Sequence, residues 1–210
     1  MIARIGKSAL NAVHGRLIFG RRVEALGRAL AALIPAGDGE VLDLGCGDGQ
    51  VALALMQLRP ELTVEGVDVL VRPVTHIKVT RYDGVVLPFA DKSFDHVTIV
   101  DVLHHTDEPA LILAEAARVA RRSVVVKDHL RQGWLAGSTL RLMDWVGNRG
   151  HDVRLPYNYL SENEWQDAFA KAGLVAGQRQ VKLGLYPAWL DWLFGRQLHF
   201  VQRLEPINLR

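Results

Sequence analysis

VLDLGCGDG, Val41 to Gly49, joins an apolar strand to a turn built from three glycines. Gly45 and Gly47 have no Cβ, so the chain can turn there at positive φ and a ligand can pack directly on main-chain atoms. Gly49 then opens a helix. Strand, glycine turn and helix in that order form the nucleotide-binding corner of a doubly wound α/β sheet, whose ligands lie at the carboxyl ends of the strands. The corner alone does not name the nucleotide.

The spacing narrows it. These glycines read G-x-G-x-G with Gln50 following, whereas a dinucleotide fingerprint is G-x-G-x-x-G with its helix N-terminus on a pyrophosphate. Asp43, just before the first glycine, would repel a pyrophosphate but suits an ammonium group, held directly or through water. The strand-like LTVEGVD, Leu62 to Asp68, ends in a carboxylate where a ribose diol is usually gripped. With these features the chain resembles the class I S-adenosylmethionine-dependent methyltransferases. YDGVVLPFADKSFDHVTIVDVLHH, Tyr82 to His105, is similar to that family's next two motifs: an Asp after the third strand, then an LPF-x-x-x-SFD turn leading into the fourth, with Asp83 and Asp95 at the matching positions.

The resemblance covers roughly Glu40 to Leu130 and lies nearest the quinone-biosynthesis-like, small-molecule branch. It implies an α/β fold: a Rossmann-like, doubly wound, mainly parallel seven-stranded sheet with an antiparallel last strand and helices on both faces. It also implies S-adenosylmethionine as cofactor, with S-adenosylhomocysteine as product. The implied cofactor site is Asp43, Gly45, Cys46, Gly47, Asp68, Val69, Asp83, Gly84 and Asp101, with Asp83 toward the adenine amino group.

At 210 residues and 49% hydrophobic, the chain suits one domain with a substantial core. We divide it into an N-terminal helical cap over 1–35, a cofactor-binding half over 36–132 and substrate-side insertions over 133–160 and 184–196. The single cysteine, Cys46, allows no intramolecular disulfide, and a reducing cytoplasm is the simplest setting. No apolar run reaches membrane-spanning length, and the N-terminus lacks the core and cleavage pattern of a signal peptide. A net charge of +2 does not call for a nucleic-acid partner, although Arg4, Lys7, Arg16, Arg21, Arg22 and Arg28 face only Glu24 in residues 1–34.

Periodicity supplies the elements. Val23, Leu26, Leu30, Leu33 and Ile34 recur at helical spacing before Pro35 and Gly37. Gln50 to Leu58 and Pro109 to Ala120 read as helices; Leu62 to Asp68, Lys78 to Asp83, His96 to Val100 and the β-branched Ser123 to Lys127 read as strands. Ser161 with Glu164 is a capping box for a helix running to Lys171 and stopping at Gly173. Leu174 to Lys182 and Leu198 to Leu204 would close the sheet as an antiparallel pair. Only Val69 to Ile77, interrupted by Pro73, separates the second strand from the third. A parallel crossover normally takes a dozen residues or more, so the usual helix there is expected to be missing. Either that sheet edge is covered by something else or the third strand is irregular.

The implied chemistry is in-line displacement on a sulfonium methyl, for which the protein brings the acceptor into line and excludes water. An acceptor that must lose a proton needs a base at the strand ends, and imidazole titrates near neutrality. His105 is the first candidate, with His129 in KDH (Lys127 to His129) and His104 behind it. Asp101, His104 and His105 match a metal cluster of some family members at only two of three positions, and no metal is expected. The insertions mix aromatic and polar residues, as in Trp134, Trp145, Tyr157 and Tyr159 beside Arg141, Asn148, Arg149, His151, Arg154 and Asn158, which suits a pocket for a small, partly apolar acceptor, lipid-like or anionic. Transfer to O, N or activated C stays open, as do peripheral membrane contact and a dimer; nucleic acid is not expected. The competing readings are a noncatalytic S-adenosylmethionine-binding or scaffold protein and, further off, an NAD(P)-dependent oxidoreductase.

Overall fold

The computed structural model describes residues 19–133, 135–147, 157–186 and 197–207. Helix α1 occupies residues 19–33. It is followed by β1 (Gly39–Leu44), α2 (Gln50–Leu58), β2 (Leu62–Asp68), β3 (Val79–Arg81), β4 (Phe94–Val100) and a single 3-10 turn (Leu103–His105). Then come α3 (Pro109–Val119), β5 (Ala120–His129), α4 (Ala136–Gly147), α5 (Glu162–Lys171), β6 (Leu174–Gln180) and β7 (His199–Pro206). The strands form one seven-stranded sheet in the order β3-β2-β1-β4-β5-β7-β6. The first five run parallel, and β7 is inserted antiparallel between β5 and β6. The connections leave β1 and β4 in opposite directions, which opens a crevice at their carboxyl ends.

Side-chain alternation builds the two layers. Leu42, Leu44, Val97, Ile99, Val124 and Val126 face α3 and α5, while Val41, Val64, Val125 and Val201 face α1 and α2. In β5 the run Val124-Val125-Val126 is wholly buried, each residue committed to one layer in turn. Ser161 and Glu164 form the expected reciprocal cap of α5.

The far edge of the sheet departs from the family pattern. No helix lies between β2 and β3, and β3 is shorter than the Lys78 to Asp83 expected. Ile77 replaces part of the missing layer: it is buried against α2, and a Cβ on Gly49 would lie 2.6 Å from its side chain. Val69, Leu70, Val71 and Val74 stay exposed. After β3, Arg118 holds the LPF turn in shape by donating to the carbonyls of Leu87 and Phe89 at 3.1 and 2.9 Å, while the Glu115 carboxylate accepts from the Leu87 N–H at 2.8 Å. Of the N-terminal and substrate-side stretches, residues 1–18, Trp134, 148–156 and 187–196 lie outside the described residues, as do the side chains of 142–147.

Candidate active site

The glycine turn forms because three backbone positions need positive φ: 73° at Gly45, 59° at Gly47 and 81° at Gly49. The three glycines nevertheless do different work. A Cβ on Gly45 would lie 2.3 Å from Val102 Cγ2, so this glycine lets the turn after β4 approach. Around Gly47 nothing lies within 4 Å of an added Cβ, which leaves space for a ligand over its Cα. Asp68 Oδ2 accepts the Gly47 N–H at 2.8 Å and Oδ1 accepts that of Leu70 at 2.9 Å. The carboxylate at the tip of β2 therefore shapes the turn it faces.

Asp43 is buried beneath this turn and accepts a hydrogen bond from the Thr98 hydroxyl at 2.8 Å. Burial pushes its carboxyl up to about 6; the Thr98 bond opposes the rise and neighbouring Asp68 adds to it. A buried carboxylate below an open backbone cradle fits a ligand carrying an ammonium group. Cys46 points the other way, its Sγ packing where a Cβ on Gly66 would stand at 2.4 Å. Burial, then Asp43 and Asp68, raise its thiol, so it offers the turn only its backbone. Asp83 is exposed beyond β3, and its Oδ1 accepts from the N–H groups of Val85 and Val86 at 2.8 and 3.0 Å, bonds that lower its pKa. Gly84, at φ 87°, brings its backbone against Val69, so these two cofactor candidates lie side by side.

The carboxyl ends of β4 and β5 hold the histidines. Asp128 Oδ1 bonds His104 Nδ1 at 2.6 Å and the His129 N–H at 2.7 Å; Oδ2 accepts the Leu103 N–H at 3.0 Å. Burial alone would raise this carboxyl, but His104 and His129 hold it far below the usual range. His104 and His129 are buried, with their Nδ1 atoms 3.3 Å apart and their rings perpendicular. Desolvation, reinforced by His104, lowers His129 to about 4, so His129 stays neutral near pH 7. Tyr159 stands over both rings at 5.8 and 5.6 Å, and Trp165 donates to the His129 carbonyl at 3.0 Å. The Asn158 N–H donates to the His104 carbonyl at 3.3 Å, so the 133–160 insertion does reach the histidines. His105 is half-buried beside His104, ring centroids 4.0 Å apart.

Asp101, placed in the cofactor set by resemblance, is otherwise engaged: Lys127 and Arg22 ion-pair with its two oxygens. Burial would raise its carboxyl, yet these two cations pull it well below the ordinary value. By donor type, Asp101, His104, Asp128 and His129 could hold a metal ion, their ligand atoms all lying within 4.8 Å of one another. The charges argue otherwise. Arg22 and Lys127 balance the two carboxylates, leaving no surplus negative charge for a dication. Sequence reasoning assigned no role to Asp128, Lys127 or His199. The available signal was a Lys-Asp pair closing a strand that otherwise reads as buried on both faces.

Residues 42–126 match the model of a family described as a methyltransferase domain. Over these residues, less than half of its length, the chain is similar to a methyltransferase domain. The space over Gly47 and the buried Asp43 fit S-adenosylmethionine, the cofactor that the resemblance implies. The chain is 32% identical to the 27-O-demethylrifamycin SV methyltransferase of Amycolatopsis mediterranei over 107 residues, covering 44% of this chain and 39% of that protein. It is 28% identical to the demethylmenaquinone methyltransferase of Thermotoga maritima over 113 residues, 50% and 49% of the two chains. The chain therefore matches less than half the length of these curated relatives. Among solved structures, a methyltransferase from a complex with the Haloferax volcanii Trm112 activator superposes with a TM-score of 0.68 at 18% identity, covering 90% of this chain and 91% of that one.

Proposed function

We propose that the protein transfers the methyl group of S-adenosylmethionine to a small, partly apolar acceptor that gives up a proton from oxygen or nitrogen. The observation that carries this is the seam between the glycine turn and the turn after β4. Val102 packs on Gly45, and the 3-10 turn that follows it carries His104. The bound cofactor supplies an activated sulfonium methyl. The chain supplies the rest: Asp43 for the ammonium group, the Gly47 backbone and Asp68 for the sugar side, and Val69 and Gly84 for the base.

His104 replaces His105 as our first candidate for the base. Asp128 fixes the orientation of its imidazole through Nδ1. Such a dyad suits an acidic hydroxyl, and carbon transfer needs it less. Tyr157 and Tyr159 form part of the acceptor wall in this reading. Among the described residues no helix is long and apolar enough to cross a membrane, and we take the setting to be cytoplasmic from the lone cysteine.

Calorimetry with S-adenosylmethionine and S-adenosylhomocysteine tests the cradle, and mass spectrometry for a metabolite gaining one methylene tests transfer. His104→Gln should retain S-adenosylhomocysteine affinity while transfer falls by about 100-fold or more. Flat titrations on folded protein would end the methyltransferase reading.

A further inference from the structure

Five segments far apart in sequence meet in a ring of polar side chains that the proposed chemistry leaves unused. Lys127 and Arg22 bond the two oxygens of Asp101. Lys127 Nζ also lies 3.5 Å from His199 Nδ1, and the Tyr186 hydroxyl lies 3.5 Å from His199 Nε2. Arg22 interacts in turn with Tyr186, which closes the ring. α1, the end of β4, β5, β7 and the segment after β6 are joined at this one place.

Asp101 is the residue on which the ring acts. Its φ is 57°, a left-handed conformation that residues other than glycine seldom adopt. Its N–H donates to the Lys127 carbonyl at 2.9 Å. The next residues are Val102, packed on Gly45, and the 3-10 turn that carries His104. Backbone in such a conformation persists only while its surroundings over-determine it. Lys127 reaches Asp101 from the neighbouring strand, whereas Arg22 reaches it from outside the sheet. It adds a directional bond from a separate helix. Apolar packing follows the same plan, because Ala25 and Leu26 of α1 form a cluster of their own with Leu185, against which Val51 and Val100 pack.

We propose that Arg22 is a positioning residue which, through Asp101, couples the docking of α1 to the placement of the turn carrying His104, so that the site is assembled only when α1 and the Tyr186 segment are seated together. The consequence for transfer rests on the His104 reading given above; the coupling itself does not. Hydrogen exchange on the full chain without cofactor reads the coupling in wild type, Arg22→Met, Arg22→Lys and Tyr186→Phe. In Arg22→Met the amides of residues 101–106 should exchange about tenfold faster or more, together with those of residues 20–26. Arg22→Lys should recover at least part of that protection at both places, and S-adenosylhomocysteine affinity measured by calorimetry should follow the same order. A simple stitch between α1 and its neighbour would leave residues 101–106 at the wild-type rate in Arg22→Met, and that result overturns the proposal. If Arg22→Met does not fold, Tyr186→Phe decides: coupled loss at 20–26 and 101–106 supports the coupling, and loss confined to 183–186 overturns it. A wild-type protein with no affinity for S-adenosylhomocysteine would remove the methyltransferase reading while leaving the exchange result to stand or fall separately.

Discussion

Asp43 shows at the scale of one residue how this site trades stability for binding. Its ordinary ionisation, near 3.8, belongs to the unfolded chain, whereas in the folded protein burial raises it to about 6. The folded protein thus holds this proton longer than the unfolded chain does. Its contribution to stability is full below pH 3.8, declines as pH rises toward 6, and above that the buried ionised carboxylate costs about 1–3 kcal/mol. Asp43→Asn keeps an acceptor for the Thr98 hydroxyl and removes the charge. Urea unfolding without cofactor at pH 7.5 should find the variant about 1–2 kcal/mol more stable than wild type, with no gain at pH 4. Its S-adenosylmethionine affinity should fall by about tenfold or more. A variant no more stable at pH 7.5 would mean that the carboxylate is not paying a burial cost.

At the scale of elements, α1 depends on a residue outside itself. Its last carbonyls have no intrahelical partner, and Arg59, following α2, meets that of Ala31 together with three just past the helix end. Nη1 donates to the carbonyls of Ala31 and Ile34 at 3.0 and 3.1 Å, and Nη2 to those of Pro35 and Gly37 at 3.0 and 3.3 Å. A guanidinium there also offsets the negative end of the helix. Arg59→Ala should cost about 2 kcal/mol, read as a melting temperature lower by about 4–8 °C for a chain of this size. The loss should appear first as faster amide exchange in residues 28–34. An unchanged melting curve would assign the capping to solvent.

For the whole molecule, the sheet order brings together the carboxyl ends of β1, β2, β4 and β5, each contributing something different: an open backbone, a shaping carboxylate, a histidine turn and its aspartate. A ligand that binds only this assembled arrangement stabilises it by mass action. S-Adenosylhomocysteine at about 100 times its dissociation constant should add about 2.7 kcal/mol and raise the melting temperature by about 5–10 °C. NADH at the same concentration should leave it unchanged; a rise with NADH alone would favour the oxidoreductase reading.

The order of elements, the glycine turn and the carboxylate ending β2 were legible in the sequence because they follow from local rules: β-branched and apolar runs, the special φ of glycine and a capping box at Ser161. The missing crossover was legible too, since Val69 to Ile77 is too short to hold one. What covered its place was not. That Ile77 packs under Gly49 depends on a contact between separate elements. Likewise, nothing in the spacing of KDH separated Lys127 from Asp128. Neighbours on a strand point to opposite faces, so one reaches Asp101 and the other His104. Chain-local patterns therefore determined where the glycine turn stands at the strand ends of the sheet, while only the packing of β4 against β5 and of α1 over both decided which charges meet there, because side-chain partners distant in sequence are chosen by register and burial.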